Sequence, residues 1–170
     1  MYEPSNSQRA RSASLDGRLA GPADGLEYSA RVRAGSVEYG RLEISSLETS
    51  LSGDLEGLSV SSLAIDGLGG RVTGRGSVRF PTGESSSPAV EADLELDGLS
   101  LAEAVELAPD GTALAGRLSG SLTADWDEPG IAGLEASASL RVDGLAVENR
   151  SLGELEFSLS ARAGLIRSTG

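Results

Sequence analysis

Apolar and polar residues alternate along most of this chain. Val90, Ala92, Leu94 and Leu96 interleave with Glu91, Asp93, Glu95 and Asp97. Leu134, Ala136, Ala138, Leu140 and Val142 interleave with Glu135, Ser137, Ser139, Arg141 and Asp143. A period of two sends the two sets to opposite faces of a β-sheet. The same rhythm runs through residues 26–33, 71–80, 114–126 and 155–163. The expected fold is mainly β: a long curved antiparallel sheet, U-shaped or taco-like, wet on one face and apolar on the other.

Interruptions of the rhythm set the expected boundaries. Residues 1–11 read as disordered. A first β segment covers 12–80 and opens with a strand at Ser14–Leu19. Its phase slips near Gly40-Arg41 and Ser45-Ser46, where bulges or strand ends fit. Short strands at Leu58–Val60 and Leu63–Ile65 flank Ser61-Ser62. Gly74 and Gly76 stand on the apolar face, which leaves room for a kink, tight curvature or a close neighbour. Residues 81–89, PTGESSSPA, form a loop, because its prolines cannot continue a central strand. A second β segment, 90–170, continues the first. Within it, Ala132–Val142 and Leu145–Val147 read as separate strands, and Leu155–Ala163 as the last.

One helix is expected, over Ser100–Ala108. Ser100 caps it and Glu103 completes a capping box. Leu101, Ala104, Val105 and Ala108 share a face, and Pro109-Asp110-Gly111 ends it. So short a helix holds only by docking. A punctuation recurs at Asp16-Gly17, Ser52-Gly53, Asp66-Gly67, Asp97-Gly98, Ser119-Gly120 and Asp143-Gly144. Its irregular spacing is not that of a strict solenoid. The Asp-Gly copies fit turns between antiparallel neighbours, which makes a meander the economical topology.

Composition narrows the function. The 23 Gly and the abundant Ala leave little bulk for a dense core, and aromatics are only 4% of the chain. Net charge is −12, every cation is Arg, and the acids concentrate beyond residue 80. Phosphate binding needs the opposite sign, so no nucleic-acid partner is expected. There is no Cys, hence no disulfide, and no His, the commonest general base and metal ligand. The first eleven residues, MYEPSNSQRAR, are polar and do not read as a signal peptide. No apolar run approaches the 18 or more residues of a spanning helix. The chain stops close to the end of a strand-like run and reads as an excised segment of something longer.

Candidate chemistry fails residue by residue. Residues 69–77 are Gly-rich, but a phosphate loop needs Gly-Lys-Ser/Thr opening a helix, and this stretch reads as a strand. Glu91, Asp93, Glu95 and Asp97 lack the glycine and terminal glutamate of a helix–loop–helix calcium site. They fit the solvated face of a strand. No nucleophile elbow is present and no His stands by to activate a serine. Asn149-Arg150-Ser151 is a chance glycosylation triplet. Trp126 is in phase with the apolar face at a strand end and reads as a rim or core packing residue. No catalytic residue, metal site or cofactor is expected, and the chain is not read as an enzyme.

The apolar stripe remains. In a sandwich, a second sheet covers it. In an open or U-shaped sheet it lines a trough. Inward Leu and Val mixed with Ala and Gly, without bulky aromatic fillers, favour the trough. An uncovered trough exceeds the apolar patch a soluble monomer tolerates and needs an occupant. Acyl chains suit a lining with no convergent polar groups.

Three passages carry a resemblance. They are VEADLELDGLSLAEAVELA (90–108) followed by LAGRLSGSLTADW (114–126), then LRVDGLAVENRSLGELEFSLSAR (140–162), then LGGRVTGRGSVRF (68–80). In rhythm they resemble the AsmA and TamB group of bacterial envelope proteins, similar to bridge-like lipid-transfer proteins. The resemblance implies a periplasmic β-groove that carries phospholipid between inner and outer membranes. It also implies tethering of the full-length protein to the inner membrane by an N-terminal helix, which this chain lacks. A further implication is work with an outer-membrane β-barrel protein in autotransporter assembly. Partners would be phospholipid acyl chains and that barrel. The expected groove lining is Val72, Val78, Leu94, Leu96, Leu118, Leu122, Leu140, Val142, Phe157 and Leu159. The alternative is a structural β-rich adhesin or stalk module with a packed interior and no lipid.

Overall fold

The computed structural model describes residues 9–10, 12–22, 25–39, 42–81, 87–105, 113–127, 133–148 and 150–170. Twelve strands and one helix follow in chain order: β1 (Arg9–Ala10), β2 (Ala13–Ala20), β3 (Glu27–Ala34), β4 (Val37–Tyr39), β5 (Leu42–Gly53), β6 (Gly57–Gly67), β7 (Gly70–Arg79), β8 (Ala89–Ser100), α1 (Leu101–Val105), β9 (Leu114–Trp126), β10 (Leu134–Val147), β11 (Arg150–Arg162) and β12 (Leu165–Thr169). All the strands join one sheet.

The twelve strands make ten rows. β3 and β4 both pair along the same side of β5, so they are one row interrupted at residues 35–36. β1 and β2 flank that row in the same way, and Gly35 N–H donates to the Ser12 carbonyl at the break (2.9 Å). Every later strand pairs antiparallel with its predecessor in sequence. The first and last rows do not pair, so the sheet is open. The mainly β, antiparallel meander read from the alternation is the observed fold.

Several boundaries differ from the sequence reading. Arg9–Ala10 is a short strand inside the segment expected to be disordered, whose other residues lie outside those described. Ser61-Ser62 does not divide two strands but sits inside β6, and Asp143-Gly144 sits inside β10. The expected slip at Gly40-Arg41 falls outside the described residues, as do the centre of the 81–89 loop and Asn149.

One rule accounts for four of the irregularities. Four times the next inward residue comes three positions on instead of two: Ile44 to Leu47, Val60 to Leu63, Leu96 to Leu99 and Val142 to Leu145. Unbroken alternation would throw the second residue of each pair onto the wet face. The pairing register shifts at each place, between Ile44 and Ser46, Val60 and Leu63, Leu96 and Leu99, and Val142 and Leu145. A bulge absorbs the extra residue and restores the face. Two of the four use Ser-Ser and two use Asp-Gly. Gly98 and Gly144 take positive φ (62° and 64°), as a glycine bulge requires. These two Asp-Gly pairs are therefore bulges and not turns. Glycine in the left-handed region serves either purpose, and sequence does not separate them.

The helix forms where its sequence signal predicts one. α1 covers Leu101–Val105, and residues 106–112 lie outside those described. Ser100 Oγ accepts the Glu103 N–H at 3.4 Å. The reciprocal half of the capping box is not made, because Ser100 N–H donates to the Leu68 carbonyl at 2.7 Å. α1 packs on β8 and β9 at the end of the sheet that carries the β6–β7 turn. Nearby, Arg117 Nη1 donates to the carbonyls of Gly98 (2.8 Å) and Gly69 (3.1 Å). One guanidinium thus ties β9, the β8 bulge and the β6–β7 turn together.

There is no second layer among the described residues. Substantial packing runs between neighbouring rows and between α1 and its two strands. Val142, at 4% exposure, is the single buried hydrophobic among the described residues. The surface measures 11867 Å², against about 7,800 Å² from the scaling law for a compact monomer of this mass.

Two glycines give stability tests. Gly120 has φ +145°, and a Cβ there would strike the Ser139 carbonyl and lie 2.9 Å from Leu140 Cα. Gly120→Ala should lower unfolding free energy by about 2 kcal/mol in a denaturant titration. Gly17, where a Cβ meets nothing nearer than 3.6 Å, is the control; Gly17→Ala should be neutral or stabilise by about 0.5 kcal/mol.

Gly144 isolates the backbone cost, since a Cβ there meets nothing within 4 Å. Gly144→Val should cost about 1–2 kcal/mol and Gly144→Asn distinctly less, because Asn tolerates the left-handed region. Equal losses in thermal melts would contradict the bulge assignment.

Candidate functional site

Register carries residues from separate strands into lines that cross the sheet at right angles to the strands. The first line on the apolar face is Ala34, Leu47, Ile65, Val72, Leu96, Gly120, Leu140 and Phe157. The second is Leu15, Val32, Thr49, Leu63, Gly74, Leu94, Leu122, Ala138 and Leu159. Beyond the β8 bulge, Leu99 pairs with Leu118, which pairs with Val142. Leu58, Val78, Val90, Trp126 and Leu134 form a further line near the opposite end of the strands. All ten residues expected to line the apolar face stand on it, in five consecutive strands from β7 to β11. Nine are half-buried and Val142 is buried.

Between the second line and the Val78–Val90–Trp126 line runs a line of small residues. It reads Gly17, Ala30, Leu51, Val60, Gly76, Ala92, Ala124, Ala136, Ala161 and Ile166, one residue from each of the ten rows. From Gly76 to Ala161 it is Gly and Ala alone. The flanking residues stand four positions apart along a strand, about 13 Å. Leu94, Leu122 and Leu159 form one wall, and Val78, Val90, Trp126 and Leu134 the other. The small residues form a shallow floor between aliphatic walls, crossing the strands. A sequence reading that looked for large apolar residues passed over this floor. Its signal was the Ala at inward positions 92, 124, 136 and 161, legible only once register aligned them.

Trp126 ends β9 at 44% exposure, directly opposite Val90 on one side and Leu134 on the other. It is a wall residue at the rim.

The opposite face is polar in every central row. Arg75 meets Asp93 (2.8 Å), Arg79 meets Glu91 (3.5 Å), and Arg162 meets Glu135 (3.0 Å). Arg141 gathers Asp143 (2.9 Å), Glu154 (2.8 Å) and Glu156 (3.6 Å). The hydrogen bond it donates to Asp143, then the charges around it, hold this guanidinium above its ordinary pKa. It is a fixed cation. Exposed pairs of this kind each contribute little in water, so they pin register more than they stabilise. Glu91, Asp125 and Glu135 lie side by side in register. Among the described residues no cluster of acids is placed to hold a metal ion.

Hollows on the molecule open on this polar side. A furrow of about 700 Å³ crosses five strands between Ser59–Ser77–Glu91–Asp125–Glu135 and Arg75–Asp93–Thr123–Ser137. Its base is the backbone of Val60, Gly76, Ala92 and Ala124, the reverse side of the small-residue floor. It presents carboxylates and hydroxyls with no aligned nucleophile and base. Chemically, the molecule offers a wet charged face and a dry aliphatic one.

No protein-family model matches this chain, and no curated protein or solved structure matches it either.

Proposed function

We propose that the apolar face holds lipid acyl chains along the small-residue floor, and that the chain is a groove segment of an AsmA/TamB-like envelope protein. The observation that carries this reading is the Gly76–Ala92–Ala124–Ala136–Ala161 line, walled by aliphatic side chains on a face with no second layer among the described residues. Ten rows at about 4.8 Å and strands of about ten residues give a face on the order of 1,400 Å². Soluble monomers tolerate a few hundred. A packed stalk or adhesin module would cover that face from within, and one buried hydrophobic among the described residues is poor support for it.

The mechanism is passive. Tails lie on Ala and Gly between Leu and Val walls, where burial stabilises them by about 25 cal/mol per Å². No polar group converges on the floor, so head groups stay in water and chains slide between equivalent sites. Half of a bilayer's ~30 Å hydrocarbon core, about one acyl chain, spans about three rows. In the full-length protein such a floor would continue from segment to segment through the periplasm, carrying phospholipid between the inner and outer membranes. An outer-membrane β-barrel is the accompanying protein partner under the same reading.

The single Trp makes this testable. Phospholipid brominated on its acyl chains should quench Trp126 fluorescence saturably, and lipid brominated near the head group should quench it much less. Ala92→Leu with Ala124→Leu fills the floor while adding apolar surface. Lipid affinity should fall at least tenfold in that variant, and Leu118→Arg or Leu140→Arg should weaken loading with strand content intact by circular dichroism. Undiminished loading of the filled variant would mean that lipid merely adheres to a greasy face, and the reading fails.

A further inference from the structure

The small-residue floor does not run down the middle of the sheet. Gly76 stands three residues from the end of β7, and Ala92 three from the start of β8. Ala124 stands two from the end of β9, and Ala136 two from the start of β10. These positions put the floor within about 10 Å of one border of the sheet, where the strands end. The opposite border is far, since Ala124 is ten residues, about 34 Å, from Leu114. Exposed side chains of Phe80 and Trp126 mark the near border.

Charge at the near border is one-sided. Glu91, Asp93, Asp125, Asp127 and Glu135 stand around the Gly76–Ala136 stretch of the floor. Arg75 pairs with Asp93, Arg79 with Glu91 and Arg162 with Glu135, which leaves Asp125 and Asp127 in excess. The β5–β6 turn adds Asp54 and Glu56. Asp54 Oδ1 is held there, accepting the Glu56 and Gly57 N–H groups (2.7 and 3.0 Å). The connections at this border, 80–88 and 127–133, contain acids and no arginine. Arg18, Arg31 and Arg167 belong to outer rows, two or more rows from the Gly76–Ala136 stretch. Among the described residues, no arginine beside this stretch lacks an acidic partner.

We infer that the floor sorts lipids by head-group charge, admitting net-neutral phospholipids whose head group bears an ammonium and turning away those with net negative charge. The inference rests on the groove reading proposed above. A tail on the floor leaves its head group in water beside the near border, at about the ~8 Å over which charges act at physiological salt. A phosphoglycerol head meets acids there with no spare arginine to hold its phosphate. A phosphoethanolamine head carries its own counter-charge and turns that ammonium toward Asp125, Asp127 and Glu56. Selection comes from the field of the border and needs no pocket. Tails therefore stay interchangeable while head groups are discriminated.

The test uses vesicles of equal parts phosphatidylethanolamine and phosphatidylglycerol, with brominated tails on one lipid or on the other. Vesicle charge is then the same in both arms, and Trp126 quenching in protein separated from the vesicles reads which lipid was loaded. Loading of phosphatidylethanolamine should exceed that of phosphatidylglycerol about fivefold at about 0.05 M salt and approach parity at about 0.5 M. Glu56→Arg with Asp127→Arg should erase or reverse the preference at low salt. Glu103→Arg with Glu148→Arg makes the same change of net charge at the opposite end of the strands and should keep it. Equal loading of both lipids at low salt would overturn the selectivity alone, as would a preference lost equally in both double variants. Absence of quenching by either lipid would instead overturn the groove reading, and this inference with it.

Discussion

Cross-strand register is the constraint on which the rest of this structure depends. With no second layer among the described residues, a side chain on the apolar face is covered by its described neighbours in the same row and in the adjacent ones. Nearest-row contacts must therefore supply the stabilisation that a core supplies elsewhere, as in repeat proteins where each unit touches only the next. A slip of one residue in any row would turn its aliphatic set to water. The four bulges are the consequence. Each sits where the inward spacing lengthens to three, and each returns Leu47, Leu63, Leu99 or Leu145 to the dry side. Arg117 adds a point at which three rows are fixed together, bonding the carbonyls of Gly69 and Gly98.

The polar face holds the same register by other means. Arg75 lies directly opposite Asp93, and Arg141 directly opposite Glu156. These pairs are exposed and individually weak, yet a slip of one residue would exchange them for contacts between a cation and an apolar neighbour. The in-register acids Glu91, Asp125 and Glu135 run against this pattern. Arg79 and Arg162 meet the outer two from neighbouring rows. Charge on this face and burial on the other thus select one alignment, and that alignment draws the Gly and Ala of separate strands into one line.

Much of the fold was legible because β-alternation is a local property. The strands around residues 90–100, 114–126 and 134–142 follow from their own side chains, as does the assignment of Val72, Leu94, Leu122 and Leu140 to one face. The helix was legible in place, though its capping box is half used. Leu68 accepts the Ser100 N–H that the box would have engaged. The bulges were legible as slips in phase but not in meaning. Ser61-Ser62 read as a gap between strands and Asp143-Gly144 as a turn, because a bulge and a turn ask for the same residues.

The sequence by itself determined which residues face water and which face the dry side, because the two-residue period and the charges are written in consecutive positions. It also determined that acid–base chemistry with His or Cys is absent. Only the tertiary structure decided which residues of different rows stand side by side. That alignment depends on turn lengths and bulges summed over the whole meander, so Ala92, Ala124, Ala136 and Ala161 are ordinary small residues in sequence. They become a walled floor only when ten rows lock in register. Whether the outermost rows meet each other was likewise decided only in three dimensions, and they do not pair.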